Sequence, residues 1–124
     1  MRSPRSCPRC NGSSSPTVLE VGSAAQREWL LPAAADGSIT ACIAYTEADA
    51  GSDLANIATS AADDARADRY VLDGEKVLVT GAHKADWCCT IARTDPESHG
   101  SRGLSMFLVD MQEYDIQLDR KSVV

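Results

Sequence analysis

A chain of 124 residues with 44% hydrophobic and 5% aromatic residues has room for one domain with a modest, mostly aliphatic core. A net charge of −6 and a pI near 4.7 remove the bulk electrostatic basis for binding nucleic acid or an anionic membrane surface. No apolar run is long enough to span a bilayer, and none follows Arg2 and Arg5 as a secretory signal requires. Five cysteines, at 7, 10, 42, 88 and 89, are an odd number without secretory context, so reduced thiols in a cytoplasmic protein are expected.

Residues 1–17 are rich in Ser, Pro, Arg, Cys, Asn and Gly and show neither helical nor strand periodicity, so a disordered or non-native leader is expected there. Ser23 can cap a helix over Ala24–Leu31, which Pro32 breaks or restarts and Gly37 ends; residues 18–37 then read as the end of a helical region. From Ser38 the pattern is β, with Ile39, Ala41, Ile43 and Tyr45 alternating with Thr40, Cys42, Ala44 and Thr46. Glu47–Asp53 is a loop, Leu54–Ala61 a weaker strand, and Asp63 and Asp64 a turn.

Asp73-Gly74 lies between the β-prone runs Arg69–Leu72 and Glu75–Val79, the signature of a two-residue hairpin. Further strands are expected over Trp87–Arg93, Leu104–Asp110 and, shorter, Tyr114–Leu118, with a polar loop from Asp95 to Gly103. Short strands separated by polar turns predict a mainly β fold, a small antiparallel barrel or sandwich preceded by a short helical segment. The tail at 119–124 matches what a common sequencing adapter encodes in one frame, so it is expected to be a read-through scar.

Three motifs in order resemble the acyl-CoA dehydrogenase family. Gly22-Ser23-Ala24-Ala25-Gln26-Arg27-Glu28-Trp29-Leu30-Leu31-Pro32 looks like its segment leading out of an N-terminal helical domain. Tyr45-Thr46-Glu47-Ala48-Asp49-Ala50-Gly51-Ser52-Asp53 is similar to its T-E-P-x-A-G-S-D signature. The third runs from Asp73-Gly74-Glu75-Lys76 through Val79-Thr80-Gly81-Ala82-His83 and Ala85-Asp86-Trp87 to Phe107-Leu108-Val109-Asp110. The resemblance assigns 38–118 to the family's middle β-domain. It departs at Ala48, where the family has Pro, and at Leu78, where it usually has an aromatic residue against the flavin.

The resemblance implies FAD as cofactor and α,β-dehydrogenation of an acyl-CoA thioester. Tyr45 and Thr46 would line the isoalloxazine ring, and Ser52 would contact the pyrophosphate and lie near the acyl-CoA path. Leu78 and Val79 would cover a ring face, and the Thr80 hydroxyl would reach its N5 side. By themselves these residues fit an ordinary Gly-Ser turn and a Thr at a strand end. Gly51 permits close backbone approach, and the N–H groups around Ser52 suit phosphate oxygens. The family's base generally lies in a C-terminal helical domain, so no catalytic base is assigned and the isolated chain is expected to be inactive. The whole protein would meet an electron-transfer partner and form a homo-oligomer. A free-standing β-barrel binding module and a non-functional remnant are the readings outside this class.

Other chemistry-bearing residues read as structural. Glu47 and Asp53 are turn-fixing or solvated carboxylates, and Trp87 is a core or interface aromatic. Cys7 and Cys10 form a CxxC without the second pair that zinc needs. Cys88 and Cys89 alternate across a strand and cannot face one metal. His83 and His99 lack partners at ligand or triad spacing.

Overall fold

A computed structural model describes residues 14–113 and 116–118. Helix α1 spans Ser14–Val21, so it begins inside the stretch expected to lack periodicity; Pro16 stands in its first turn, where its missing N–H costs no bond. Helix α2 spans Ala24–Asp36. Its start is a capping box: the Gln26 amide donates to Ser23 Oγ at 3.2 Å and the Ser23 amide to Gln26 Oε1 at 2.9 Å. Pro32 does not break α2, which runs through it to Gly37, a left-handed C-cap. Pro32 and Glu28 are both exposed, so water can reach the carbonyl that Pro32 leaves without a donor.

Five strands follow among the described residues: β1 (Ala41–Ala44), β2 (Ser60–Asp64), β3 (Arg69–Asp73), β4 (Trp87–Arg93) and β5 (Leu104–Asp110). The last two occupy the spans expected from sequence. β4 pairs antiparallel with β5 along its whole length. On its other edge it takes β1 in parallel, from Ala41↔Trp87 to Ala44↔Thr90, and then β2 at Ser60↔Arg93, also in parallel. β3 hangs from β2, antiparallel.

The expected closed antiparallel barrel or sandwich therefore gives way to an open, mixed sheet. β1 and β2 approach β4 through long connections and so arrive parallel to it. The sheet curls enough that Tyr70 of β3 meets Phe107 of β5 edge to face, 5.3 Å between centroids, but no ladder joins those strands.

Two turn expectations are corrected. The Leu54–Ala61 strand is a 3₁₀ turn at Leu54–Asn56 followed by β2, which carries Asp63 and Asp64 into pairing with Tyr70 and Arg69. The reversal comes at 65–68, where the Ala67 amide donates to Asp64 O at 3.0 Å and Asp68 is left-handed. Accordingly no hairpin forms at Asp73-Gly74: β3 pairs back onto β2, and 74–80 leaves the sheet. Gly74 has no positive φ; it is needed for close approach, since a Cβ there would lie 2.7 Å from Thr59 Cα. Of the short strand expected at Tyr114–Leu118, Tyr114 and Asp115 lie outside the described residues and 116–118 carry no strand. Cys7, Cys10 and the tail at 119–124 also lie outside them.

The core beside the site is built from small side chains: Cys42 and Ala44 of β1, Cys88 of β4, and Ala82 and Ala85 of the intervening segment, with Val79, Val109 and Met111 packed on them. Small residues let the segment after residue 80 lie close on the sheet. The Asp86 carboxylate pins it there, accepting from the Thr40 amide at 2.7 Å and Thr40 Oγ1 at 3.0 Å. Trp87 packs on Trp29 of α2 at 4.9 Å, which makes it the aromatic link between helix and sheet.

Candidate functional site

β1 ends at Ala44 and delivers Tyr45, Thr46 and Glu47 into a tight loop, in which the amides of Glu47 and Ala50 each donate to the other's carbonyl at 3.2 Å. Ala50 is buried, which turns Gly51 back beside Thr46; a Cβ on Gly51 would touch Thr46 Cγ2 at 3.8 Å. No protein backbone crowds Gly51, so the close approach expected of it is not to another part of this chain. Ser52 is exposed at the turn's end, and no described residue engages its hydroxyl.

The second segment lies against the first. The Val77 amide donates to Thr46 O at 2.8 Å, which places Leu78 next to the Tyr45–Thr46 strand end. Leu78 is left-handed, with φ 56°, and 63% exposed. A γ-branched L-residue in that region costs about 1–2 kcal/mol, and here the strained backbone holds an apolar side chain out toward solvent. Val79 turns inward onto the small-residue core, and Thr80 is exposed with its hydroxyl free of described partners. Thus Tyr45, Thr46, Ser52, Leu78, Val79 and Thr80 lie on two segments clasped together. Of the six, Val79 is the one that packs against the small-residue core.

Beneath the clasp is a buried ion pair. The Glu47 carboxylate accepts from Lys76 Nζ at 2.8 Å, from the Ala58 amide at 2.6 Å, from the Thr59 amide at 3.0 Å, and from Thr59 Oγ1. Lys76 Nζ also donates to Tyr45 O at 3.3 Å. Burial pushes the Glu47 carboxyl up, but the bonds from Lys76, Thr59 and Ala58 outweigh it and hold it at about 2. Glu47 is turn-fixing, as expected, and buried rather than solvated. A carboxylate committed in this way has no lone pair poised for a substrate proton.

The other face of the same strand end is sulfur-lined. The Tyr45 hydroxyl lies 3.6 Å from Cys89 Sγ and 4.0 Å from Met106 Sδ. Burial, then the Cys89 contact, pushes its pKa up, so it stays protonated. Cys88 points to the opposite face, toward Cys42, and the bond with Cys42 and burial push its thiol up as well. Cys88 and Cys89 therefore face apart.

None of the six site residues lines either of two small cavities found among the described residues. One of about 150 Å³ lies between α1 and the β4–β5 pair, lined by Val18, Val21, Cys89, Met106 and Phe107. The other, about 220 Å³, lies at the 3₁₀ turn Leu54–Asn56 beside Arg93 and His99. Arg93 spends its guanidinium on loop carbonyls, donating to Ala55 O at 2.7 Å and Ser98 O at 3.1 Å. In the candidate site Ser52, Leu78 and Thr80 are exposed, and Tyr45, Thr46 and Val79 are partly buried. His83 and His99 are exposed, and no cluster of His, Cys, Asp or Glu among the described residues could hold a metal. No described helix is long and apolar enough to cross a membrane.

Sequence reasoning missed Lys76, Asp86 and Arg93. Lys76 lay inside a motif, but nothing local in the chain signals a partner 29 residues away. For Asp86 the signal was the Thr40 side chain, 46 residues off.

A model of the acyl-CoA dehydrogenase middle domain matches residues 42–123. The acyl-CoA dehydrogenase FadE29 of Mycobacterium tuberculosis is 41% identical over 98 residues, covering 79% of this chain and 25% of its own length. A crystal structure of an acyl-CoA dehydrogenase from Geobacillus kaustophilus superposes with TM-score 0.74 at 35% identity, over 79% of this chain and 26% of its own. The FAD complex of PigA superposes with TM-score 0.71 at 33% identity, over 77% of this chain and 24% of its own. The chain therefore spans about a quarter of the length of the relatives it matches.

Proposed function

The chain belongs to the acyl-CoA dehydrogenase family, whose middle domain it carries, and from that premise we propose that its two clasped segments form one face of an FAD site. The full-length protein is then an oxidoreductase acting on the CH–CH group of acyl-CoA thioesters. Residues 38–118 are its middle domain and 18–37 the end of its N-terminal helical region. Bound FAD supplies the hydride acceptor for that chemistry.

The chain's own residues bind and orient. Thr46, Ser52 and Thr80 offer hydroxyls to the ring edge and the pyrophosphate, and Ser52 also flanks the acyl-CoA path. Tyr45 lines the ring from its half-buried position. Leu78 and Val79 exclude water from a ring face. Glu47 is held ionised by Lys76 and Thr59 and supplies no base; by the family resemblance, proton removal falls to a residue of a C-terminal helical domain. An electron-transfer partner and assembly into homo-oligomers belong to the same proposal for the whole protein.

The observation that carries the reading is Leu78: an exposed apolar side chain on a strained backbone, next to the Val77 amide that bonds Thr46 O, and two residues before the Thr80 hydroxyl, which has no partner among the described residues. Such strain persists where function uses it. The residues fit the group, with an aliphatic cover where the family usually has an aromatic one. The test is a titration of FAD with the chain, followed by flavin fluorescence. Saturable quenching that weakens in Thr46→Ala is expected; no saturable change up to millimolar chain contradicts the assignment.

A further inference from the structure

The Glu47–Lys76 pair is buried, with side chains 9% and 11% exposed. Taking two charges from water offsets most of what their attraction contributes, so a buried pair is a weak source of stability. What it gives is direction. One carboxylate gathers an ammonium, two amides and a hydroxyl, drawn from residues 58, 59 and 76. The ammonium in turn holds the carbonyl of Tyr45. Three stretches of chain, far apart in sequence, are thereby fixed at one point.

That point adjoins both halves of the site. Glu47 is the next residue after Thr46, and Lys76 is two residues before Leu78. The Val77–Thr46 hydrogen bond lies between them. Leu78 keeps its left-handed backbone only if both sides are anchored: Val79 in the small-residue core on one side, Lys76 and Val77 on the other.

We infer that Glu47 and Lys76 are positioning residues for the flavin face, holding Thr46 and Leu78–Thr80 in the arrangement that lets both segments touch one planar ring. The inference rests on the FAD reading. It gives the pair a role in binding that a stability role alone would not produce: folded chain lacking the pair binds FAD poorly.

The experiment titrates ¹⁵N-labelled full chain with FAD and follows the amides of Thr46 and Val77–Thr80. In the wild type these shift together and saturate. Glu47→Gln and Lys76→Met, judged folded by amide dispersion, bind roughly tenfold more weakly, and Lys76→Arg, which keeps the cation, recovers most of the lost affinity. If Glu47→Gln does not fold, Thr59→Val removes one bond to the carboxylate at similar volume and also weakens binding. Folded pair variants that bind FAD like the wild type overturn this inference and leave the FAD reading intact. A wild-type chain whose amides do not respond to FAD overturns both.

Discussion

Strand β4 and the segment 74–80 are held by opposite means. Each β4 residue from Trp87 to Arg93 has a register partner on β5, and Trp87 to Thr90 have a second partner on β1. Cys88, Cys89, Thr90 and Ala92 are buried, and Thr90 Oγ1 adds a bond to Ala44 O at 2.6 Å. The segment 74–80 has no ladder. It is fixed at a few points: the glycine contact with Thr59, the Lys76–Glu47 pair, the Val77 amide on Thr46, and Val79 in the core. Many weak, redundant bonds make β4 insensitive to any one of them. Few, non-redundant ties leave a surface open for a ligand, and each tie then matters. Low-redundancy segments on a rigid support are where binding surfaces are commonly built.

The contrast breaks most visibly at Glu47. Replacing it with Ala strands the Lys76 ammonium among buried groups and is expected to destabilise the chain by about 3–5 kcal/mol, measured by urea unfolding. The same carboxyl sets a pH dependence. Its folded pKa, about 2, lies below the ordinary 4.5, so its contribution is complete above about 4.5 and is lost as pH falls toward 2. Asp36 and Asp95 are also lowered, by bonds from Ser38 and Ser98, but both are exposed. The difference between wild type and Glu47→Gln isolates the Glu47 share, and the acid slope should be shallower in the variant.

Gly74→Ala comes next. Its Cβ would crowd the Cα, Cβ and hydroxyl of Thr59, a buried residue bonded to Glu47, so a loss of roughly 1–3 kcal/mol is expected, read as a lower thermal midpoint. Leu78→Gly reverses the sign: relief of the left-handed strain raises stability by roughly 0.5–1 kcal/mol, while FAD binding falls. Stability and binding moving apart at one residue would sharpen the view that this segment is shaped for a ligand. Smallest of all is Asp64→Asn, which removes the exposed Asp64–Arg69 pair at the β2–β3 turn; a change under about 0.5 kcal/mol is expected from the same unfolding curves.

The same contrast explains what could be read from the chain. β4 and β5 are aliphatic, β-prone runs between polar loops, so their limits follow from local pattern. Asp73-Gly74 misled because its turn signal is local, whereas the contact that requires Gly74 comes from Thr59. The open sheet was not legible because the parallel pairing of β1 with β4 joins residues 46 positions apart. The six site residues came from family resemblance; their side chains alone fit an ordinary turn and strand end. Leu78 illustrates why, since nothing about leucine announces a left-handed backbone, which Gly or Asn would normally take.

The central claim, that 45–52 and 77–80 act as one flavin face, is tested most directly by hydrogen–deuterium exchange of the full chain with and without FAD. Protection gained in both segments together, with β3 and the Arg93 cavity at 55–57 and 96–100 unchanged, is the expected result. Protection confined to that cavity, or to only one of the two segments, would contradict it.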